Sequence, residues 1–337
     1  MLEQYLWFVK INWLTIIISL IIAMIVLNYA TWILEKEIST IWKKLKIPTT
    51  VRWAIFDASM SSLPELLTSF AWLIILGSKW LEVWTWTIWW SALFNILIIP
   101  AAVLLAYNWK KPIKINKWWI KRDSIFYILS IIIIILWLWS KQLTFMSLSL
   151  IWLYVIYMFY LYKQSLQHRK ENKKEVELAY ESVKNVKISY IKIILSLIIV
   201  YVWVEASVVA AEWIWNVLHI SILIISLVIL ASITSIPDTL LSIKSTKKWD
   251  VDAGFSNAVW SNIFDICIWL GLPIFIWTVF MWLKSEIDFE KNFYMFIFVI
   301  LATIIYFVVI NLRNISKKNA YMLILAYILI VIYLVIW

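Results

Sequence analysis

The chain has 337 residues, 64% of them hydrophobic and 15% charged, with a mean hydropathy of +0.88 and a formal net charge of +10. A soluble domain carries about 25% charged residues, so one water-facing core cannot hide this apolar surface and lipid must solvate most of it. One cysteine excludes an internal disulfide, and two scattered histidines are too few for a zinc or haem centre.

Apolar runs long enough to cross about 30 Å of hydrocarbon as helices fall at 14–34, 53–76, 83–107, 124–140, 144–162, 188–210, 220–243, 254–283, 292–311 and 320–337. The expected fold class is all-α, a polytopic membrane protein of about ten transmembrane helices. The first run is too long for a cleavable signal peptide and lacks a basic leader. Between the fifth and sixth runs, residues 163–187 mix Lys, Arg and Glu and read as a solvated helical linker. That stretch divides the chain into a first half, 1–162, and a second half, 188–337.

Most Lys and Arg residues fall in the loops after the odd-numbered runs: Lys36 to Arg52, Lys110 to Arg122, Lys163 to Lys187, Lys244 to Lys248, and Arg313 to Lys318. The positive-inside rule makes these loops cytoplasmic and puts both termini outside, in a plasma (inner) membrane. The net positive charge is then a topology signal, and no nucleic-acid partner is implied.

Two short elements recur. The second run contains Ser61-Ser62-Leu63-Pro64-Glu65, and the seventh contains Thr234-Ser235-Ile236-Pro237-Asp238. The third contains Ser91-Ala92-Leu93-Phe94-Asn95, and the eighth contains Ser261-Asn262-Ile263-Phe264-Asp265. Five spans separate the copies, so each enters the bilayer from the opposite side. The expected architecture is two inverted five-helix repeats, which typically place a substrate site near the midplane.

The motif suits cations. Proline lacks the N–H that would bond the carbonyl four residues back, so Pro64 releases the carbonyl of Met60 and Pro237 that of Ile233. A free carbonyl in hydrocarbon needs a partner. Beside each proline stand hydroxyls and one carboxylate, a hard-oxygen set that suits Ca²⁺ and Na⁺. Mid-span acids such as Glu65 and Asp238 are costly unless partnered, and no Lys or Arg is expected at their depth. Ser91 with Asn95, and Ser261 with Asp265, share one helix face at i,i+4. Glu205 and Glu212 line one face of the sixth run and suit either an access path or a helix end. Asp57 is equally open, and Cys267 reads as packing.

At these residues the sequence resembles the cation/calcium exchanger superfamily, and the second copy is most similar to the potassium-dependent sodium/calcium exchangers. The resemblance implies a secondary antiporter, not an enzyme, with no cofactor and with Ca²⁺, Na⁺ and, as an open question, K⁺ as transported ions. Carried over by position, it implies cation ligands at Ser61, Ser62, Glu65, Ser91, Asn95, Thr234, Ser235, Asp238, Ser261 and Asp265. Coupling of calcium to protons by the same carboxylates is the alternative. A membrane-embedded lipid-group transferase is a remote one, and its acidic clusters and catalytic histidines are absent from the sequence. Oligomeric state is not legible.

One compositional feature stands apart. There are 3 glycines and 26 tryptophans, although average usage would give roughly 24 glycines. Trp80, Trp84, Trp86, Trp90, Trp249, Trp260 and Trp269 stand where the superfamily resemblance leads one to expect glycine. Interfacial belts enrich tryptophan but do not explain a cluster such as Trp84, Trp86, Trp89 and Trp90. The expectation is that most of these positions are glycine, encoded by UGA.

Overall fold

In this computed structural model the described residues are 13–44, 62, 80–109, 113, 115, 117–171, 186–218, 231–247, 251–280, 289–312 and 314–336. They form helices α1 (Trp13–Lys44), α2 (Trp80–Ala106), α3 (Lys117–Trp139), α4 (Leu143–Glu171), α5 (Lys187–Leu218), α6 (Ala231–Lys247), α7 (Val251–Phe264), α8 (Gly271–Phe280), α9 (Phe289–Asn311) and α10 (Lys317–Ile336), with a π-helical turn, Asp265–Leu270, joining α7 to α8. No strand occurs among the described residues.

Among the described residues eight stretches are long and apolar enough to cross a membrane, the α7–α8 rod Val251–Phe280 being one of them. The expected run 53–76 lies outside the described residues. Of the run 220–243 only the later part is described, inside α6.

Helix ends depart from the apolar runs, because hydropathy marks where hydrocarbon stops and not where a helix does. The first apolar run ends at Leu34, but α1 continues to Lys44, and the Lys36 ammonium there folds back over the Trp32 ring at 5.3 Å. α4 extends into the polar linker as far as Glu171. α3 begins at Lys117, which carries Arg122 and Asp123 into the bundle.

α2 sits at the centre, packed against α6, α7, α9 and α10, while α7 also packs on α3 and α6. Both central helices are apolar or small around much of their circumference, the pattern of an element with no outer face. α1, by contrast, lies along α5. Leu14, Ile17, Ile21 and Ile25 on α1, and Ile188, Ile191, Leu195 and Ile198 on α5, are exposed at helical spacing. These are the faces that lipid covers.

The prolines of α6 and α8 act differently. α6 runs as a continuous helix through Pro237, so that residue ends nothing and only withholds an N–H. Pro273 likewise has no N–H for the carbonyl of Trp269, and the indole N–H of Trp84 donates to that carbonyl at 2.9 Å.

Candidate cation site

Two polar stripes cross at the centre of the molecule. Thr87, Ser91 and Asn95 lie one turn apart on α2, and Asn257 and Ser261 on α7 are followed one turn later by Asp265, the first residue of the π-helical turn. All six are buried. Such residues turn inward because hydrocarbon offers them no hydrogen bonds.

The stripes are joined directly. The Asn95 amide donates to Asn262 Oδ1 at 3.1 Å, and the Asn262 amide donates to the Ala92 carbonyl at 3.1 Å. Ser91 Oγ lies 3.1 Å from Ser235 Oγ and donates to Asp265 Oδ2 at 3.4 Å. Ser261 Oγ donates to Asp238 Oδ1 at 2.8 Å. The Asn257 amide donates to the Asp238 carbonyl at 3.1 Å and to Ser242 Oγ at 3.0 Å. Ser62 lies beside the Asp265 carboxylate.

The electrostatics are unbalanced. Asp238 and Asp265 are fully buried and close enough for their charges to repel, a repulsion that a proton or a cation relieves. Asn95 Oδ1 is buried with no hydrogen-bond partner among the described residues, and the buried Ser62 hydroxyl is set against the Asp265 carboxylate. Buried polar atoms are nearly always paired, so an unpaired oxygen beside these two needs an account. Hydroxyl, amide and carboxylate oxygens together form a donor set that a hard cation can accept. The π-helical turn starts at Asp265 itself, and such widened turns are frequent at functional sites.

Of the expected ligands, the structure brings together Ser62, Ser91, Asn95, Ser235, Asp238, Ser261 and Asp265. Ser61 and Glu65 lie outside the described residues, as does Asp57. Thr234 and Glu212 fall on α6 and α5, but their side chains are outside the description. Glu205 is buried and accepts from Tyr201 Oη, one turn earlier on its own helix, at 3.0 Å. Cys267 is a buried free thiol in the π turn. Among the described residues no group of three His, Cys, Asp or Glu side chains occurs, so the donor set is mixed.

Three participants were not singled out from the sequence: Asn257, Asn262 and Ser242. Asn257 was findable, since it stands four residues before Ser261 on the same face. One expectation needs correction. Arg122 was counted with a cytoplasmic loop, but it is buried inside the span Ile120–Trp139. It donates from Nε to Asp123 and from Nη1 to Gln164. Asp123 also accepts from Tyr157 Oη and Trp260 Nε1. The buried Arg122 guanidinium is thus paired with its own neighbour, Asp123.

The family profile described as sodium/calcium exchanger protein matches residues 15–163 and 188–336. This chain belongs to that family. Its members are transporters, which sets aside the lipid-group transferase. Among curated relatives, sodium/potassium/calcium exchanger 5 of Homo sapiens is 37% identical over 84 residues, covering 24% of this chain and 17% of that protein. Exchanger 3 of Homo sapiens is 34% identical over 122 residues, 36% of this chain and 18% of that protein. The matches span less than a fifth of the length of these curated relatives.

Solved structures align over nearly the whole chain. YfkE aligns with a TM-score of 0.74 at 14% identity, over 100% of this chain and 97% of its own. The H⁺/Ca²⁺ exchanger CAX gives 0.71 at 16% identity, over 95% and 84%. The sodium-calcium exchanger NCX_Mj gives 0.63 at 20% identity, over 93% and 96%. These likenesses show a shared fold, the all-helical membrane architecture expected from the sequence.

Proposed function

We propose that this protein is a secondary antiporter that moves Ca²⁺ against Na⁺ through the crossing of α2 and α7. The observation that carries the reading is the meeting of Asp238 and Asp265 with Ser91 and Asn95, acids from one repeat facing neutral oxygens from the other. A dehydrated ion there is held by both halves, so a relative movement of the halves opens the site to alternate sides. Glu65, outside the described residues, adds a carboxylate from the first repeat. The protein sits in the plasma (inner) membrane with both termini outside, as the basic loops indicate.

A second reading couples Ca²⁺ to H⁺. It is favoured by the mutual repulsion of Asp238 and Asp265, because a shared proton relieves that repulsion as a cation does. Sodium is preferred because the curated relatives alike in sequence are named as sodium/potassium/calcium exchangers. Calcium flux in proteoliposomes, with sodium, potassium and proton gradients imposed one at a time, decides between them. Uptake driven by an outward sodium gradient at equal pH supports the first reading. Uptake driven only by a pH gradient replaces it with the second, and flux with no gradient dependence overturns both.

A further inference from the structure

We propose that Trp84, Trp86, Trp90, Trp260 and Trp269, on or next to the two crossing helices, are glycines in the protein as its own cell makes it. The substitution arises if UGA, one base away from the glycine codon GGA, is read as glycine there.

Ser91 and Asn95 in α2 correspond to Ser261 and Asp265 in α7, and the same register pairs Trp90 with Trp260 and Trp84 with Gly254. Gly254 is one of the chain's three glycines, and the packing shows why it is needed. A Cβ at that position would lie 2.6 Å from Thr246 Oγ1, 2.9 Å from Val103 Cγ2 and 3.1 Å from the Ser242 carbonyl. α7 therefore approaches α6 and α2 too closely there for any side chain. Its repeat mate on α2 carries the bulkiest side chain in the genetic code, and Trp84 is wholly buried. Two copies of one packing unit do not ordinarily demand glycine in one and accommodate an indole in the other.

Hydrogen bonding gives the second argument. A buried tryptophan ordinarily finds an acceptor for its N–H, yet the buried Nε1 atoms of Trp86, Trp89, Trp90 and Trp269 have none among the described residues. Trp86 and Trp90 lie one turn apart on α2, flanking the stripe, and Trp269 lies in the π turn beside Asp265. Trp84 and Trp260 do have acceptors, the Trp269 carbonyl and Asp123. They are assigned through their repeat mates, Gly254 and Trp90. The composition closes the case, since 3 glycines with 26 tryptophans invert the usual abundance of the two residues.

The consequence falls on the site. Glycine at 86 and 90 would put a small-xxx-small face on α2, and glycine at 84 would free the Trp269 carbonyl that Pro273 leaves without a backbone donor.

Peptide mass spectrometry of the protein purified from its source cells is the direct test. Fragments covering residues 80–95 and 251–270 should each be lighter by the tryptophan–glycine difference at every assigned position. Tryptophan masses at those positions overturn the proposal. A recombinant pair gives an independent check: the chain with W84G, W86G, W90G, W260G and W269G together should melt higher in detergent than the chain carrying five tryptophans. An equal or lower melting temperature for the glycine form counts against it.

Discussion

The two repeat copies put the same geometry to unequal chemical use. On α2 the stripe reads Thr87, Ser91, Asn95, and on α7 it reads Asn257, Ser261, Asp265. The serines match, but the outer positions differ in polarity and charge. Asn95 can pair across the crossing as a neutral donor, as it does with Asn262. Asp265 in the equivalent place can only repel Asp238 or accept. The comparison teaches that a near-twofold frame need not give a twofold site. In the described residues the second copy supplies charge, and the first supplies neutral oxygens and the bridge that holds the helices together.

If charge resides chiefly in the second copy, Asp238→Asn has the largest effect of any described residue. The Asp238 carboxylate is fixed by Ser261 at 2.8 Å, and its backbone carbonyl is held by Asn257. An amide would keep the shape and lose the charge on a divalent ion. Sodium-dependent uptake of radiolabelled calcium into vesicles should fall to background. Wild-type uptake would remove Asp238 from the ligand set and with it the unequal division.

Asp265→Asn sharpens the same comparison by making the second stripe resemble the first. One of two repelling charges is lost, so transport survives with weaker calcium binding. A charged hydrogen-bonding ligand contributes about 1.5–3 kcal/mol, so half-saturating calcium should rise roughly tenfold or more. The companion change Asn95→Asp, in the Asp265→Asn background, asks whether the copies are interchangeable. Recovery of calcium affinity says that the frame is symmetric and only the side chains are not.

Much of this was readable from spacing. Ser91 with Asn95 and Ser261 with Asp265 were legible because i,i+4 polar pairs recur in two membrane spans, a pattern hydrocarbon tolerates only on an inward face. Asn257 has Thr87 as its repeat mate, so the recurrence that marks the two serines does not reach it. Asn262 lay inside the recognised motif, but its role depends on the Ala92 carbonyl of another helix, which no local pattern encodes. The π turn at 265–270 has no breaker in Asp-Ile-Cys-Ile-Trp-Leu to announce it. Arg122 was misplaced because hydropathy ended the span before it, while helix α3 carried it inside, where Asp123 satisfies it.

The bridging role assigned to the first copy gives a smaller, structural prediction. Asn262 accepts from Asn95 and donates to the Ala92 carbonyl, so Asn262→Ala removes both links between α2 and α7. The buried Asn95 amide and Ala92 carbonyl lose their Asn262 partners. Each lost hydrogen bond contributes about 0.5–1.5 kcal/mol, and the melting temperature in detergent should drop accordingly. An unchanged melting temperature would show that the Asn262 bridge adds nothing to the packing of the two helices.

A polar contact also joins the copies at their first helices. Glu37 of α1 accepts from Ser189 Oγ at 2.6 Å and from Lys192 Nζ at 2.8 Å, both on α5. The ion pair is one-sided, because the Glu37 side chain is nearly buried while that of Lys192 is about half exposed. A half-exposed partner is screened by solvent, and pairs of this kind contribute about 0–1 kcal/mol. Lys192→Met keeps the apolar stem and the Ser189 hydrogen bond, so stability should change by no more than about 1 kcal/mol. The difference should shrink further at high salt, because screening already weakens the wild-type pair. A loss as large as that of Asn262→Ala would mean that the polar contact between α1 and α5 matters as much as the central bridge. The contrast between a charged, hydrogen-bonded crossing and a lipid-faced outer pair would then have to be redrawn.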